Sequence, residues 1–223
     1  MIRDFSREEF KNFCLSCGVS DFDFFINRCD NLYELLLAAN AKVNLTRIQD
    51  KDDFMIKHVA DSLAICRYFP EIGTGLRIVD IGCGAGFPSL ILATAFPQLQ
   101  ITAVDSISKK TAFVESAGAS LGLSNLKVFT GRSREMNRRE EWQERFDILT
   151  ARAVSDLRTL YREARNMLKS TGRFVFFKTP EQAAAELDNL KKISSRHNIS
   201  WRVTEVFDLP AAGGKRVFVY SDR

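Results

Sequence analysis

Residues 76–87, Leu-Arg-Ile-Val-Asp-Ile-Gly-Cys-Gly-Ala-Gly-Phe, carry an apolar stretch into an acid and then into three alternating glycines. Such a segment constrains the rest of the chain, because it reads as a buried strand ending in a turn open to a ligand. Gly82, Gly84 and Gly86 allow conformations closed to residues with a Cβ and let a ligand approach the main chain. The apolar run Ile91, Leu92, Ala93 that follows reads as the next helix. A dinucleotide site needs G-x-G-x-x-G, so that a pyrophosphate can rest on the helix N-terminus. Counting from Gly82 puts Phe87 at the third glycine position, and counting from Gly84 puts Ser89 there. Neither register completes that fingerprint.

Strand and helix patterns alternate onward from the turn. Strands are predicted at 76–81, 100–105, 126–130, 146–151 and 173–178, and helices at 87–95, 109–121, 155–168 and 181–195. This alternation implies a parallel sheet with helices on both faces. Two closing strands near 201–208 and 215–221, linked through Gly213 and Gly214, read as an antiparallel hairpin at the edge. Upstream, near-helical apolar spacing predicts helices over 21–39 and 52–68. The expected organisation is a helical cap at 1–72 on a core at 73–223, together forming one compact unit. Residues 132–145, with five arginines against four glutamates, read as a solvated excursion between strands.

Composition narrows the setting. With 223 residues, 45% hydrophobic and 27% charged, the chain can bury a full core. No apolar segment reaches the roughly 20 residues of a membrane span, and the first residues lack the apolar region of an export signal. A cytoplasmic protein without a membrane partner is expected. Five cysteines cannot all pair, and the lone C-x-x-C of Cys14 and Cys17 lacks a second cysteine pair, with only His58 and His197 elsewhere. Reduced thiols and no metal are expected. The net charge of +4 permits an anionic partner without demanding one. Arg158, Arg162, Arg165 and Lys169 recur at spacings that place them on one helix face, either solvated or contacting phosphates.

Asp80 followed by the three glycines makes D-x-G-x-G-x-G, which resembles the cofactor turn of class I S-adenosylmethionine (SAM) methyltransferases. Bulk after the third glycine is tolerable there, because no pyrophosphate has to fit. In open α/β sheets ligands bind beyond the carboxyl ends of the strands. That rule nominates 82–87, Asp105 with Ser106, 132–135 and 151–153. Asp105, about 20 residues past the turn, is placed to accept ribose hydroxyls. Ser133, Arg134 or Glu135 would meet the adenine edge, and Arg152 would lie near the methionine end of the cofactor.

Further residues bring a narrower family into view. Asn44-Leu45-Thr46, then His58-Val59-Ala60-Asp61-Ser62-Leu63, then Asp80 to Pro88, then Phe146-Asp147 to Arg152-Ala153 follow one order. The chain resembles the glucose-inhibited division protein B family, bacterial methyltransferases of small-subunit ribosomal RNA. The resemblance implies a Rossmann-like, seven-stranded, mostly parallel sheet with a C-terminal antiparallel hairpin and an N-terminal helical cap. It implies methyl transfer from SAM to N7 of a guanine in 16S ribosomal RNA, by a monomer acting on the small ribosomal subunit. Gly82, Phe87, the 133–135 segment and Arg152 would then contact the cofactor. Asn44, His58, Asp61, Arg158, Arg162, Arg165 and Lys178 are the candidate RNA contacts. His58 and Asp61, three apart on a helix, equally suit a clasp between cap and core. Ser89 and Thr179 stand where the family has glycine. No catalytic residue is assigned, because guanine N7 needs no proton removed. Other readings are a methyltransferase for a small molecule or protein, a nucleotide-dependent oxidoreductase, and an RNA-binding assembly factor with a vestigial cofactor fold.

Overall fold

The computed structural model describes residues 6–154, 156–197 and 199–222. Side chains alternate across the sheet with period two. Ile78, Ile148 and Val175 pack on one face, and Val79, Leu149 and Phe174 on the other. Strands β1 (Arg77–Ile81), β2 (Gln100–Asp105), β3 (Leu126–Thr130), β4 (Phe146–Arg152) and β5 (Leu168–Lys178) are parallel. The closing strands β6 (Ser200–Val203), β7 (Phe207–Asp208) and β8 (Lys215–Asp222) are antiparallel additions. The order across the sheet is β3-β2-β1-β4-β5-β8-β6, with β7 paired to β8 off this path. Strand order therefore reverses between β1 and β4, which opens a crevice at their carboxyl ends.

The helices are α1 (Arg7–Ser16), α2 (Phe22–Asn40), α3 (Lys51–Phe54), α4 (Asp61–Leu63), α5 (Ile65–Tyr68), α6 (Ser89–Ala95), α7 (Ser108–Ser120), α8 (Ser133–Met136), α9 (Leu157–Ala164) and α10 (Pro180–Ser194). Asp21 accepts the Phe24 N–H at 2.9 Å to start α2, and Thr179 with Gln182 forms a capping box on α10. Phe10, Phe25, Leu36, Ile56, Leu63 and Ile91 form one apolar cluster with the strand residues Ile78, Ile101 and Val175. The cap is thus a layer of the same core. Each such buried side chain contributes roughly 1.5–3 kcal/mol relative to exposure. Leu160, Tyr161 and Leu190, from α9 and α10, cover the opposite face.

Several expectations need correction. The predicted helix over 52–68 is four pieces, with a π-helical turn, Met55–Ala60, between α3 and α4. Apolar spacing cannot distinguish an i+5 turn from an i+4 turn when Met55, Ile56, Val59 and Ala60 are all buried. The helix predicted over 155–168 stops at Ala164, and β5 begins at Leu168, which pairs with Phe146. The helix predicted from 87 starts at Ser89, because the ligand turn takes the preceding residues. The 201–208 strand divides around Thr204, whose hydroxyl accepts the Phe218 N–H at 3.0 Å. The excursion at 132–145 is not fully solvated, for it holds α8 and a short turn that bury Met136 and Trp142. Helix α1 went unanticipated. All five cysteines are free and buried.

Candidate active site

The glycine turn joins β1 to α6. Gly82 has φ +71°, and a Cβ there would stand 2.6 Å from Val154 Cγ2. Gly84 has φ +57° but open surroundings, the nearest atom to such a Cβ being the Gly82 carbonyl oxygen at 4.0 Å. The Gly82 and Cys83 N–H groups donate to the Val104 carbonyl at 2.8 and 2.9 Å, which ties the turn to the end of β2. The Gly84 N–H donates to Asp105 Oδ2, and the Ile107 N–H to Oδ1, each at 2.9 Å. Asp105 therefore already braces two loops, with further lone pairs available for a ligand hydroxyl.

Behind the turn, Asp80 is fully buried. Ser89 Oγ donates to its Oδ2 at 2.6 Å and Thr150 Oγ1 to its Oδ1 at 3.0 Å. Burial pushes the Asp80 carboxyl up to about 6, against the lowering effect of those two hydroxyls. The departure at Ser89 thus supplies a partner for the buried acid.

A cavity of about 610 Å³ opens at the carboxyl ends of β1, β2, β3 and β4. Gly82, Gly84, Phe87, Asp105, Ser133, Arg134 and Arg152 line it, as do Leu45 and His58 of the cap. Two expected residues do not. Gly86 is buried behind the turn, where a Cβ would meet Leu90 and Val114. Glu135 is exposed outside the cavity, because α8 turns it away from the wall formed by Ser133 and Arg134. Ser133 Oγ instead donates to Glu163 Oε2 at 3.0 Å. Ala153 takes a left-handed φ of +54°, a strained conformation of the kind that clusters at functional sites.

Arg152 is held by the cap. Its Nη1 donates to the Lys57 carbonyl and to Asp61 Oδ2, both at 3.0 Å, and its Nη2 donates to His58 Nδ1 at 3.0 Å. Because a guanidinium only donates, His58 Nδ1 must accept, so Nε2 carries the proton and donates to Thr46 Oγ1 at 3.1 Å. Burial, then the charges of Arg152 and Lys57, hold His58 well below its ordinary value, so the ring is neutral. It stacks on Phe87 with centroids 4.1 Å apart and planes 6° from parallel. Asp61 Oδ1 accepts Arg216 Nε at 3.0 Å, so one buried carboxylate joins cap, β4 and β8.

The remaining candidates fare differently. Asn44 is exposed and lies outside the cavity wall. Its neighbourhood is ordered by Asn40, whose Oδ1 accepts the Leu45 and Thr46 N–H groups at 2.7 and 3.0 Å. Lys178, expected on RNA, is buried and donates to both Glu186 oxygens at 3.0 and 2.9 Å; the end of β5 meets α10 there. Arg158 and Arg162 are exposed on α9. Arg165 lies past the end of the helix and donates to His197, while Lys169 sits on β5 and pairs with Asp147 at 2.7 Å. The basic strip is therefore broken after Arg162. Asn40 and Arg216 were missed as organising residues, and Thr46 was named only within the Asn44-Leu45-Thr46 motif; of the two missed, Asn40, at a helix end, carried a local signal.

The arrangement supplies open main chain at Gly84, a carboxylate and a guanidinium around a cavity of ligand size. Over residues 26–208 the chain matches the protein family described as rRNA small subunit methyltransferase G. It is 35% identical over 203 residues to the ribosomal RNA small subunit methyltransferase G of Geobacillus sp. WCH70, covering 91% of this chain and 84% of that protein. The Brevibacillus brevis protein of the same name is 33% identical over 218 residues, covering 98% and 91%. A SAM-dependent methyltransferase structure from Aquifex aeolicus aligns with a TM-score of 0.52 at 19% identity, over 70% of this chain and 87% of that one. That likeness concerns the fold.

Proposed function

Because the chain belongs to the rRNA small subunit methyltransferase G family, we propose that this SAM-dependent methyltransferase acts on N7 of a guanine in the 16S RNA of the small ribosomal subunit, in the cytoplasm. The observation that carries the reading is the cavity where the glycine turn, Asp105, Ser133, Arg134 and the braced Arg152 converge. These residues fit SAM: the open space at Gly84 admits the ligand against the main chain, and Asp105 can accept ribose hydroxyls. Two of the five guanidinium N–H donors of Arg152 remain for the amino-acid end. SAM, when bound, supplies an electrophilic methyl group on a sulfonium centre.

Guanine N7 offers an in-plane lone pair, so the chain needs no general base. A positive charge leaves sulfur as an equal charge appears on the base, and the total in the site is unchanged. The residues must hold the reactants in line and tolerate that moving charge. Neutral His58 adds no second cation beside Arg152, and Asp61 offsets the guanidinium already there. The test uses small subunits from a strain lacking this gene, incubated with the protein and SAM. Digestion of their RNA to nucleosides is expected to reveal newly formed 7-methylguanosine; its absence would overturn the reading.

A further inference from the structure

A second cavity, of about 760 Å³, lies toward the amino ends of the strands, where Arg77, Gln100 and Phe146 begin β1, β2 and β4. β3 is the edge strand. Lys127 and Phe129 alternate onto the same side of it, away from Leu126 and Val128, which pack on the cap-side core. The connection from β3 to β4 would have to cover that side. It provides only α8 and the short turn Glu140–Trp142, leaving Phe129 42% exposed. The Phe129 ring is nevertheless fixed, edge-on to buried Trp142 with centroids 5.0 Å apart and planes at 80°. Arg77, Lys127, Arg139 and Arg145 line the same groove. Among the lining residues Glu141 is the one carboxylate, and its contact with Arg139 is a loose 3.9 Å between exposed groups. Part of the arginine-rich 132–145 excursion therefore forms the rim of a groove. Thr130 and Met136 line this groove, and their neighbours Gly131 and Ser133 line the cofactor cavity.

We propose that this groove docks a single-stranded segment of the substrate RNA, with Phe129 stacking a base and Arg77, Lys127, Arg139 and Arg145 following its phosphates. A preset aromatic face amid excess cations is the arrangement that binds single strands without reading sequence. The inference rests on the reading that RNA is the substrate. It places the stacking residue at the carboxyl end of β3, two residues before Gly131 of the cofactor cavity.

The test uses the full chain, an oligouridine probe and small subunits. Phe129→Ala is expected to weaken oligouridine binding roughly 5- to 150-fold. Lys127→Glu with Arg139→Glu is expected to reduce the slope of log affinity against log salt by about 1.4, for two lost phosphate contacts. SAM affinity should remain at the wild-type value in both variants, which also reports that they fold. Variants that bind oligouridine with wild-type affinity and salt slope overturn the inference, as does a wild-type chain that fails to bind the probe. A change confined to sedimentation would assign the face to a second copy of this chain and overturn it equally. If wild type produces no 7-methylguanosine, the reading of the reaction fails on its own.

Discussion

Asp61→Ala offers the most direct measure of how the cap holds the active site. The carboxylate is 7% exposed and accepts from two guanidiniums, Arg152 at 14% and Arg216 at 22% side-chain exposure, each at 3.0 Å. Removing it leaves two cations facing a buried space, with only the Lys57 carbonyl and neutral His58 still accepting from Arg152. Breaking one side of a buried ion pair costs about 3–5 kcal/mol, mostly through the charge left uncompensated. At about 2–4 °C per kcal/mol for a chain of this size, the melting temperature should fall by about 6–20 °C. Released from its brace, Arg152 should also bind SAM more weakly, measured by calorimetry well below the new melting point. The cycle with Arg216→Met separates cause from collateral damage. If the charge left behind is the cost, removing Arg216 as well should recover at least about 1 kcal/mol. A melting shift under about 2 °C with an unchanged SAM titration would refute the account of Asp61 as the joint of cap and core.

Gly84→Asp should abolish detectable SAM binding by calorimetry; a Cβ there meets open space but the left-handed φ of +57° costs about 1–2 kcal/mol, so the melting temperature should fall by about 2–8 °C with the fold retained. Lys178→Met should destabilise by about 1–3 kcal/mol in urea titrations, since it takes the ammonium from a half-buried Glu186 carboxylate that keeps only the Leu157 N–H, and should leave RNA affinity unchanged. The Asp80 carboxyl is raised from 3.8 to about 6, so the native state holds a proton that the unfolded chain has lost between those values. Wild type therefore loses stability relative to Asp80→Asn as pH rises from about 4 to 6, by a ceiling of about 3 kcal/mol, and the difference levels off above that window. A flat difference across the window would show that Asp80 titrates normally. His58, held low, acts with the opposite sign, and its stability contribution is lost as pH falls below about 6.5. Its replacement by Gln should remove a rise in stability with pH in that range.

What could be read in the sequence divides by the range of the physics involved. The glycine turn was legible because backbone conformation is a local property: positive φ at Gly82, Gly84 and Gly86 leaves its mark within seven residues. The parallel sheet was legible because burial on both faces produces apolar runs, whatever those runs touch. The contacts that orient Arg152 leave no such mark. Asp61 meets Arg216 across 155 positions, and His58 meets Arg152 across 94. Nothing near either residue announces its partner. Even within the cap, attention to Asn44 missed Asn40, because a motif marks where a loop lies and not which side chain folds it. The π-helical turn carries the same lesson further. It places His58 over Phe87 with its Nδ1 toward Arg152, yet an apolar pattern cannot reveal one extra residue in a turn whose apolar side chains are all buried. The cofactor's seat is thus a local construction, whereas the aim of the group beside it is a product of the assembled cap, sheet and closing strand. A substitution in Arg216, far from any motif, should consequently disturb SAM binding through Asp61 more than many changes nearer the glycine turn.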